Sequence, residues 1–161
     1  MPRVKIDKAN NHNLFPKLVN YVIEQALGTE DSLLVDAYCG GGLFSLSAAQ
    51  HFKHVVGIEI SREGFDWARA NALLNRIENV DFFLGEASSI FAEIEKGEQN
   101  CSLVIDPPRG GGDEIFLQQA LLFNPKKIVF VSCDPANQAR DGKFLVNGGY
   151  KISKVKPFDL F

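Results

Sequence analysis

What the 161-residue chain lacks removes several classes at once. No run of about 18 apolar residues occurs, and the opening Met1-Pro-Arg-Val-Lys-Ile-Asp7 has no hydrophobic region of a secretory signal, so the expectation is a cytoplasmic protein with no membrane span. Cysteine is scarce: Cys39, Cys101 and Cys133 stand far apart with no Cys-x-x-Cys, which argues against a disulfide framework or a zinc site and for three thiols. His12, His51 and His54 show no ligand spacing, so no metal is expected. There is no internal repeat, linker or low-complexity stretch. Nor is there an excess of positive charge, since the formal net charge is −3.

What is present is 45% apolar and 23% charged, enough for one domain with a real core. Charge is uneven: Glu59 to Glu114 carries 5 Lys+Arg against 12 Asp+Glu, whereas Lys126 to Phe161 carries 7 against 3 Asp. The basic end reads either as an ordinary solvated surface or as a rim that faces phosphates.

Apolar runs alternate with helical periodicity, the mark of βαβ units and a parallel sheet. The reading is a helix over 15–26, a strand over 32–36, a helix over 43–51, a strand over 54–60 and, behind an N-cap at Ser61, a helix over 62–75. Then come a strand at 80–84, a helix at 87–94, a strand at 101–106, a helix at 113–123, a strand at 127–132, a helix at 135–146 and a sixth strand at 150–157. The whole of 1–161 reads as one domain, with 1–30 as a helical lead-in.

In open α/β sheets ligands gather at the carboxyl ends of the strands, so the residues that close each strand are read together. The first ends Asp36-Ala-Tyr-Cys-Gly-Gly-Gly-Leu-Phe44, a glycine turn that lets backbone approach a ligand. The second ends in Glu59, seventeen residues after Gly42 and suited to a ribose diol. The third ends Leu84-Gly-Glu-Ala87, where Glu86 and exposed backbone could meet an adenine. By itself this also approximates the dinucleotide fingerprint of oxidoreductases, with Ser45 in place of the last glycine. The fourth strand decides against that: Asp106-Pro-Pro-Arg109 fixes two proline φ angles and presents a carboxylate and a guanidinium in set directions, for which hydride transfer has no use. The fifth leads into Val131-Ser-Cys-Asp-Pro135, a lone cysteine just before a helix.

Five segments, Val35-Asp-Ala-Tyr-Cys-Gly-Gly-Gly-Leu-Phe-Ser45, Gly57-Ile-Glu-Ile-Ser61, Asp106-Pro-Pro-Arg109, Ser132-Cys-Asp-Pro135 and Ala139-Arg-Asp141, taken in this order, resemble the catalytic domain of the RNA uracil-5 methyltransferase family, which makes 5-methyluridine in tRNA and rRNA. The resemblance covers nearly all of the chain. It implies an α/β class I methyltransferase fold, Rossmann-like and doubly wound, with a mostly parallel sheet and helices on both faces. It also implies S-adenosylmethionine as cofactor, RNA as partner, cofactor contacts at Asp36, Tyr38, Gly40, Gly42, Glu59, Glu86 and Asp106, and Cys133 as the covalent nucleophile.

The chemistry agrees: uracil carbon 5 is a poor nucleophile, and thiolate addition at carbon 6 turns it into an enolate. The dipole of the helix after Pro135 favours a thiolate at Cys133. Cys39 and Cys101 read as packing residues, and Arg109 either as a contact to a phosphate or carboxylate or as a surface ion pair. Arg140-Asp141 reads as a local pair.

The chain also departs from the family's pattern. Lys8, a candidate substrate contact, stands where the family's Phe-x-Gln-x-Asn element has glutamine. The family's general base is a glutamate in an element that starts just after the position matching Phe161, and the family's last strand lies there too. The expectations that follow are that the isolated chain binds cofactor without turnover, that the last strand of the sheet is missing, and that open sheet edges invite a homodimer or disturb the sixth strand. The other class left open is a cofactor-binding or repurposed scaffold without catalysis. An amino-group methyltransferase is disfavoured, because Arg109 stands where such enzymes place an aromatic ring.

Overall fold

The computed structural model describes residues 14–28, 33–92, 94 and 100–159. The lead-in up to residue 13, with Lys8, lies outside the described residues.

Short apolar runs form five parallel strands: β1 (Leu33–Asp36), β2 (His54–Glu59), β3 (Val80–Leu84), β4 (Cys101–Ile105) and β5 (Lys127–Phe130), in the order β3-β2-β1-β4-β5. β1 is central, paired through Val35↔Val56 on one side and Val35↔Leu103 on the other. The chain moves outward from β1 to β3, then returns to the opposite flank with β4, so the crevice where a ligand can enter lies between the carboxyl ends of β1 and β4.

Side-chain alternation divides the core in two. Leu34, Val55 and Val104 face Val19, Val22 and Ile23 of α1 (Phe15–Ala26) and Phe44 of α2 (Leu43–Ala48), while α3 (Arg62–Leu74) packs beside α2. Leu33, Val35, Ile58, Leu103 and Ile105 face Phe116 and Leu117 of α4 (Glu114–Phe123) and Leu145 of α5 (Pro135–Asn147). Because helices cover both faces, β1 and β4 are buried throughout and read as continuous apolar runs rather than alternating ones.

Caps set the helix starts. Ser61 accepts from the Gly64 amide, Asp113 from Ile115, and Asp134 from both Ala136 and Asn137.

Two expectations are corrected. Residues 87–94 give a 3₁₀ segment, Ala87–Ala92, instead of an α-helix; its Ala-Ser-Ser-Ile start offers two serines, poor helix formers, and Ser89 Oγ bonds back to the Glu86 carbonyl at 2.8 Å. The sixth strand does not form: Tyr150–Asp159 pairs with no strand, and β5 has no neighbour on its outer side among the described residues. Residues 151–157 are all exposed, so neither face gains by burial, and Pro157 has no amide to give a ladder. The segment is held instead by the Tyr150 hydroxyl donating to the Pro125 carbonyl (2.6 Å), by Phe158 against Tyr21 (ring centroids 5.5 Å apart), and by Lys154 and Lys156 over the Tyr21 ring.

Candidate active site

The glycine turn after β1 is bolted to β2 and α3. The Cys39 amide donates to the Ile58 carbonyl (3.0 Å), the Gly40 amide to Glu59 Oε2 (2.8 Å), and Asn71 Nδ2 to the Gly41 carbonyl (3.0 Å). Gly42 has φ +86°, a left-handed conformation that favours glycine, and hands the chain directly to α2. Gly57 is required for a different reason: a Cβ there would stand 2.8 Å from Phe82 and 3.1 Å from Cys39, so β2, β3 and the turn could not close together.

Glu59 ends β2 with both oxygens in use, Oε2 from Gly40 and Oε1 from the Ser61 amide at 2.7 Å. Each oxygen keeps one lone pair for a further donor. This aims the carboxylate into a pocket of about 230 Å³ lined by Tyr38, Glu59, Ile60, Glu86, Asp113 and Phe116. Tyr38 meets Phe116 edge-on (5.5 Å, 71°), and its phenol is pushed up chiefly by burial. Ile60, 69% exposed, offers an apolar surface at the pocket mouth.

Asp36, the last residue of β1 and chain neighbour of the pocket-lining Ala37, is wholly buried. Ser45 donates to its Oδ2 through both amide (3.0 Å) and hydroxyl (2.6 Å), and Oδ1 has no partner. Burial first, and then the nearby Asp106 carboxylate, raise Asp36 to about 7, against the lowering effect of Ser45; burial alone raises Asp106 to about 6. Two adjacent strand ends thus carry carboxyls whose negative charge no described cation balances, an arrangement that suits a positively charged ligand.

Cys133 lies past the end of β5, exposed, between Ser132 and the α5 cap Asp134. Cys39 and Cys101 are buried, and burial followed by the Asp36 and Glu59 charges pushes the Cys39 thiol far up, so it stays protonated. Arg109 is exposed, with its backbone carbonyl held by Asn137 Nδ2 at 2.8 Å.

The structure therefore brings Tyr38, Glu59 and Glu86 to one pocket, ties Gly40 to it through Glu59, keeps Gly42 at the start of α2 and Asp36 buried at the end of β1, both outside the lining, and places Asp106, Arg109 and Cys133 on the loops after β4 and β5. Sequence reasoning missed Ser45, Asn71, Ile60 and Asp113. Of these only Ser45 carried a signal, as the residue where a dinucleotide fingerprint has its last glycine. Among the described residues no His/Cys/Asp/Glu group could hold a metal, and no helix is long and apolar enough to cross a membrane.

Comparison with solved structures gives the class first. The chain is similar to Precorrin-6y C5,15-methyltransferase from Geobacter metallireducens (TM-score 0.74, 16% identity, 92% of this chain and 81% of that one), a likeness of fold alone. It is also similar to Pyrococcus abyssi tRNA (uracil-54, C5)-methyltransferase in complex with S-adenosyl-L-homocysteine (TM-score 0.73, 26% identity, 86% of this chain and 33% of that one). The fold is that of a class I methyltransferase. In sequence the chain is 40% identical over 163 residues to the tRNA (uracil(54)-C(5))-methyltransferase of Schizosaccharomyces pombe and 38% identical over 163 residues to that of Saccharomyces cerevisiae; the alignments take in 94% of this chain and 31% and 26% of those proteins. The profile of the tRNA (uracil-5-)-methyltransferases matches residues 8–161, and the chain belongs to that family. It spans about a quarter to a third of the length of these relatives.

Proposed function

We propose that this chain is the S-adenosylmethionine-binding catalytic domain, over all of 1–161, of a cytoplasmic enzyme that methylates carbon 5 of a uridine in RNA through a covalent adduct on Cys133. The observation that carries it is an exposed thiol past the carboxyl end of β5, on the same edge of the parallel sheet as a pocket at the ends of β1, β2 and β3 that Glu59, Glu86 and Asp113 line.

The residues fit the cofactor. Asp36 Oδ1 is buried and unpartnered, and Asp36 and Asp106 together suit a ligand with positive charge. Glu59 has a free lone pair on each oxygen for a ribose diol, and Ile60, Phe116 and the Gly85–Ala87 backbone offer a site for an adenine. When bound, S-adenosylmethionine supplies an electrophilic methyl group.

The chain's own groups supply the rest. The Cys133 sulfur adds to carbon 6 of the uracil, the displaced electron pair makes carbon 5 nucleophilic toward the methyl group, and removal of the carbon 5 proton by a base lets the sulfur leave. Cys133 stands exposed one residue before the Asp134 cap of α5, where an incoming uracil can reach its sulfur. A uracil inside a stack cannot be reached this way, so the nucleotide is flipped out. The role of holding its phosphate falls to Arg109, whose exposure on the loop beside α5 leaves it open to a substrate.

The test is transfer of labelled methyl from S-adenosylmethionine to uridine-containing tRNA by the full-length protein, with nucleoside analysis of the product. Label in 5-methyluridine, lost on Cys133→Ala, supports the reading; label on any other nucleoside contradicts it.

A further inference from the structure

The loop after β4 runs through Pro107, Pro108, Arg109 and Gly110 to Gly112; Pro107 is buried, but the side chains beyond it are too small or too exposed to fix the loop by apolar burial. Hydrogen bonds must hold it, and most come from one face of α5. Asn137, Arg140 and Asp141 sit three and four residues apart, on adjacent turns of one helix face. Asn137 Nδ2 donates to the Arg109 carbonyl (2.8 Å), Arg140 Nη2 donates to the Gly110 carbonyl (3.2 Å), and Asp141 Oδ2 accepts the Gly112 amide (2.7 Å).

The three side chains also aim one another: Arg140 Nε donates to Asp141 Oδ1 (2.7 Å) and Nη1 to Asn137 Oδ1 (3.0 Å). Asp141 is 1% exposed, so its charge is committed to these contacts. Gly111, at φ +85°, leaves no gap: a Cβ there would lie 2.4 Å from Arg140 Nη2 and 2.6 Å from Asp141 Oδ2.

The first turns of the same helix hold the cysteine loop. Asp134 caps α5 and its amide donates to Ser132 Oγ (3.1 Å), while Gln138 Nε2 donates to the Phe130 carbonyl at the end of β5 (3.0 Å). Cys133 lies between these anchors, so α5 grips both loops.

We propose that Asn137, Arg140 and Asp141 are positioning residues, a clamp that sets the Asp106–Arg109 loop against Cys133 so that the methyl-donor side of the site and the nucleophile keep one geometry. The proposal rests on the reading of Cys133 as nucleophile. It separates two quantities: donor binding, built largely on β1, β2 and the glycine turn, and the chemical step, which needs both loops in register.

The experiment uses the full-length protein, four variants of the clamp, Arg140→Lys among them, and Cys133→Ala as control. Arg140→Ala removes the fork, Asn137→Ala removes one loop contact and the brace on Arg140 at a half-buried site, and Gly111→Ala pushes helix and loop apart without changing charge. Amide exchange over 109–112 reports the clamp with no chemistry involved, calorimetry with S-adenosylmethionine reports the donor half, and single-turnover methyl transfer reports the step. The expected result is faster exchange, donor affinity within about threefold, and a transfer rate lower by about 10- to 100-fold in Arg140→Ala and Gly111→Ala, the scale on which small misplacements cost rate. Asn137→Ala should lose less, and Arg140→Lys, which keeps the charge but not the fork, should recover part. Unchanged transfer with faster exchange, unchanged exchange, or donor binding that falls as far as the rate would overturn the clamp. Full activity of Cys133→Ala would instead overturn the reading beneath it, and exchange would still report on α5.

Discussion

Asp36 and Ser45 form a one-sided bond: Oδ2 takes both donors of Ser45, at 3.0 and 2.6 Å, while the equally buried Oδ1 takes none. A wholly buried carboxyl so half-satisfied resists ionisation, which is why burial holds Asp36 near 7 and, beside it, Asp106 near 6.

A pH dependence follows. In the unfolded chain both carboxyls ionise near about 3.9, below their folded values. From about pH 4 to 7 the folded state therefore binds more protons, and stability from this pair is greatest at the acid end, falls as pH rises through the window and levels above it. Asp36→Asn should flatten that fall in a series of thermal melts. Binding has the opposite sign: a cationic ligand favours the ionised pair, so S-adenosylmethionine should bind more tightly at pH 8 than at pH 5, and the uncharged sulfur of S-adenosylhomocysteine should show a weaker trend. Equal slopes for the two ligands in calorimetry would contradict the role given to Asp36 and Asp106.

Glu59 gives a second expected outcome. Glu59→Ala removes a carboxylate that holds the Gly40 and Ser61 amides as well as the proposed ribose contact, so cofactor affinity should fall by about 1–3 kcal/mol for the unpaired groups left behind. Glu59→Gln keeps acceptor and shape in part and should lose less. Unchanged affinity in Glu59→Ala, measured by calorimetry, would place the ribose elsewhere.

How far the sequence carried differs by element, for physical reasons. β1, β2 and β4 were legible because both their faces are buried, so each reads as an unbroken apolar run between turns. The last segment, 150–157, has the alternation of a strand but no partner, and a strand is defined by pairing, which no local pattern can supply. The site divides in the same way. The spacing of Glu59 from the glycine turn marked two groups that the fold does join, through the Gly40 amide and Glu59 Oε2, and the sequence around Cys133 put it at a strand end, where it lies exposed. The Arg140–Asp141 pair looked local, since its work lies 29 residues away at the Gly112 amide. Likewise Asp36 gave no hint of Ser45, a contact made only once α2 folds back over β1.

The most direct measurement of the central claim uses RNA carrying 5-fluorouridine with S-adenosylmethionine and the full-length protein. Fluorine at carbon 5 cannot leave as a proton does, so the sulfur–carbon 6 bond, once made, is trapped after methyl transfer. The account predicts a complex that survives denaturing electrophoresis, maps to Cys133 by mass spectrometry and disappears in Cys133→Ala but not in Cys39→Ala or Cys101→Ala. A complex that persists in Cys133→Ala, or that maps to either buried thiol, would contradict it.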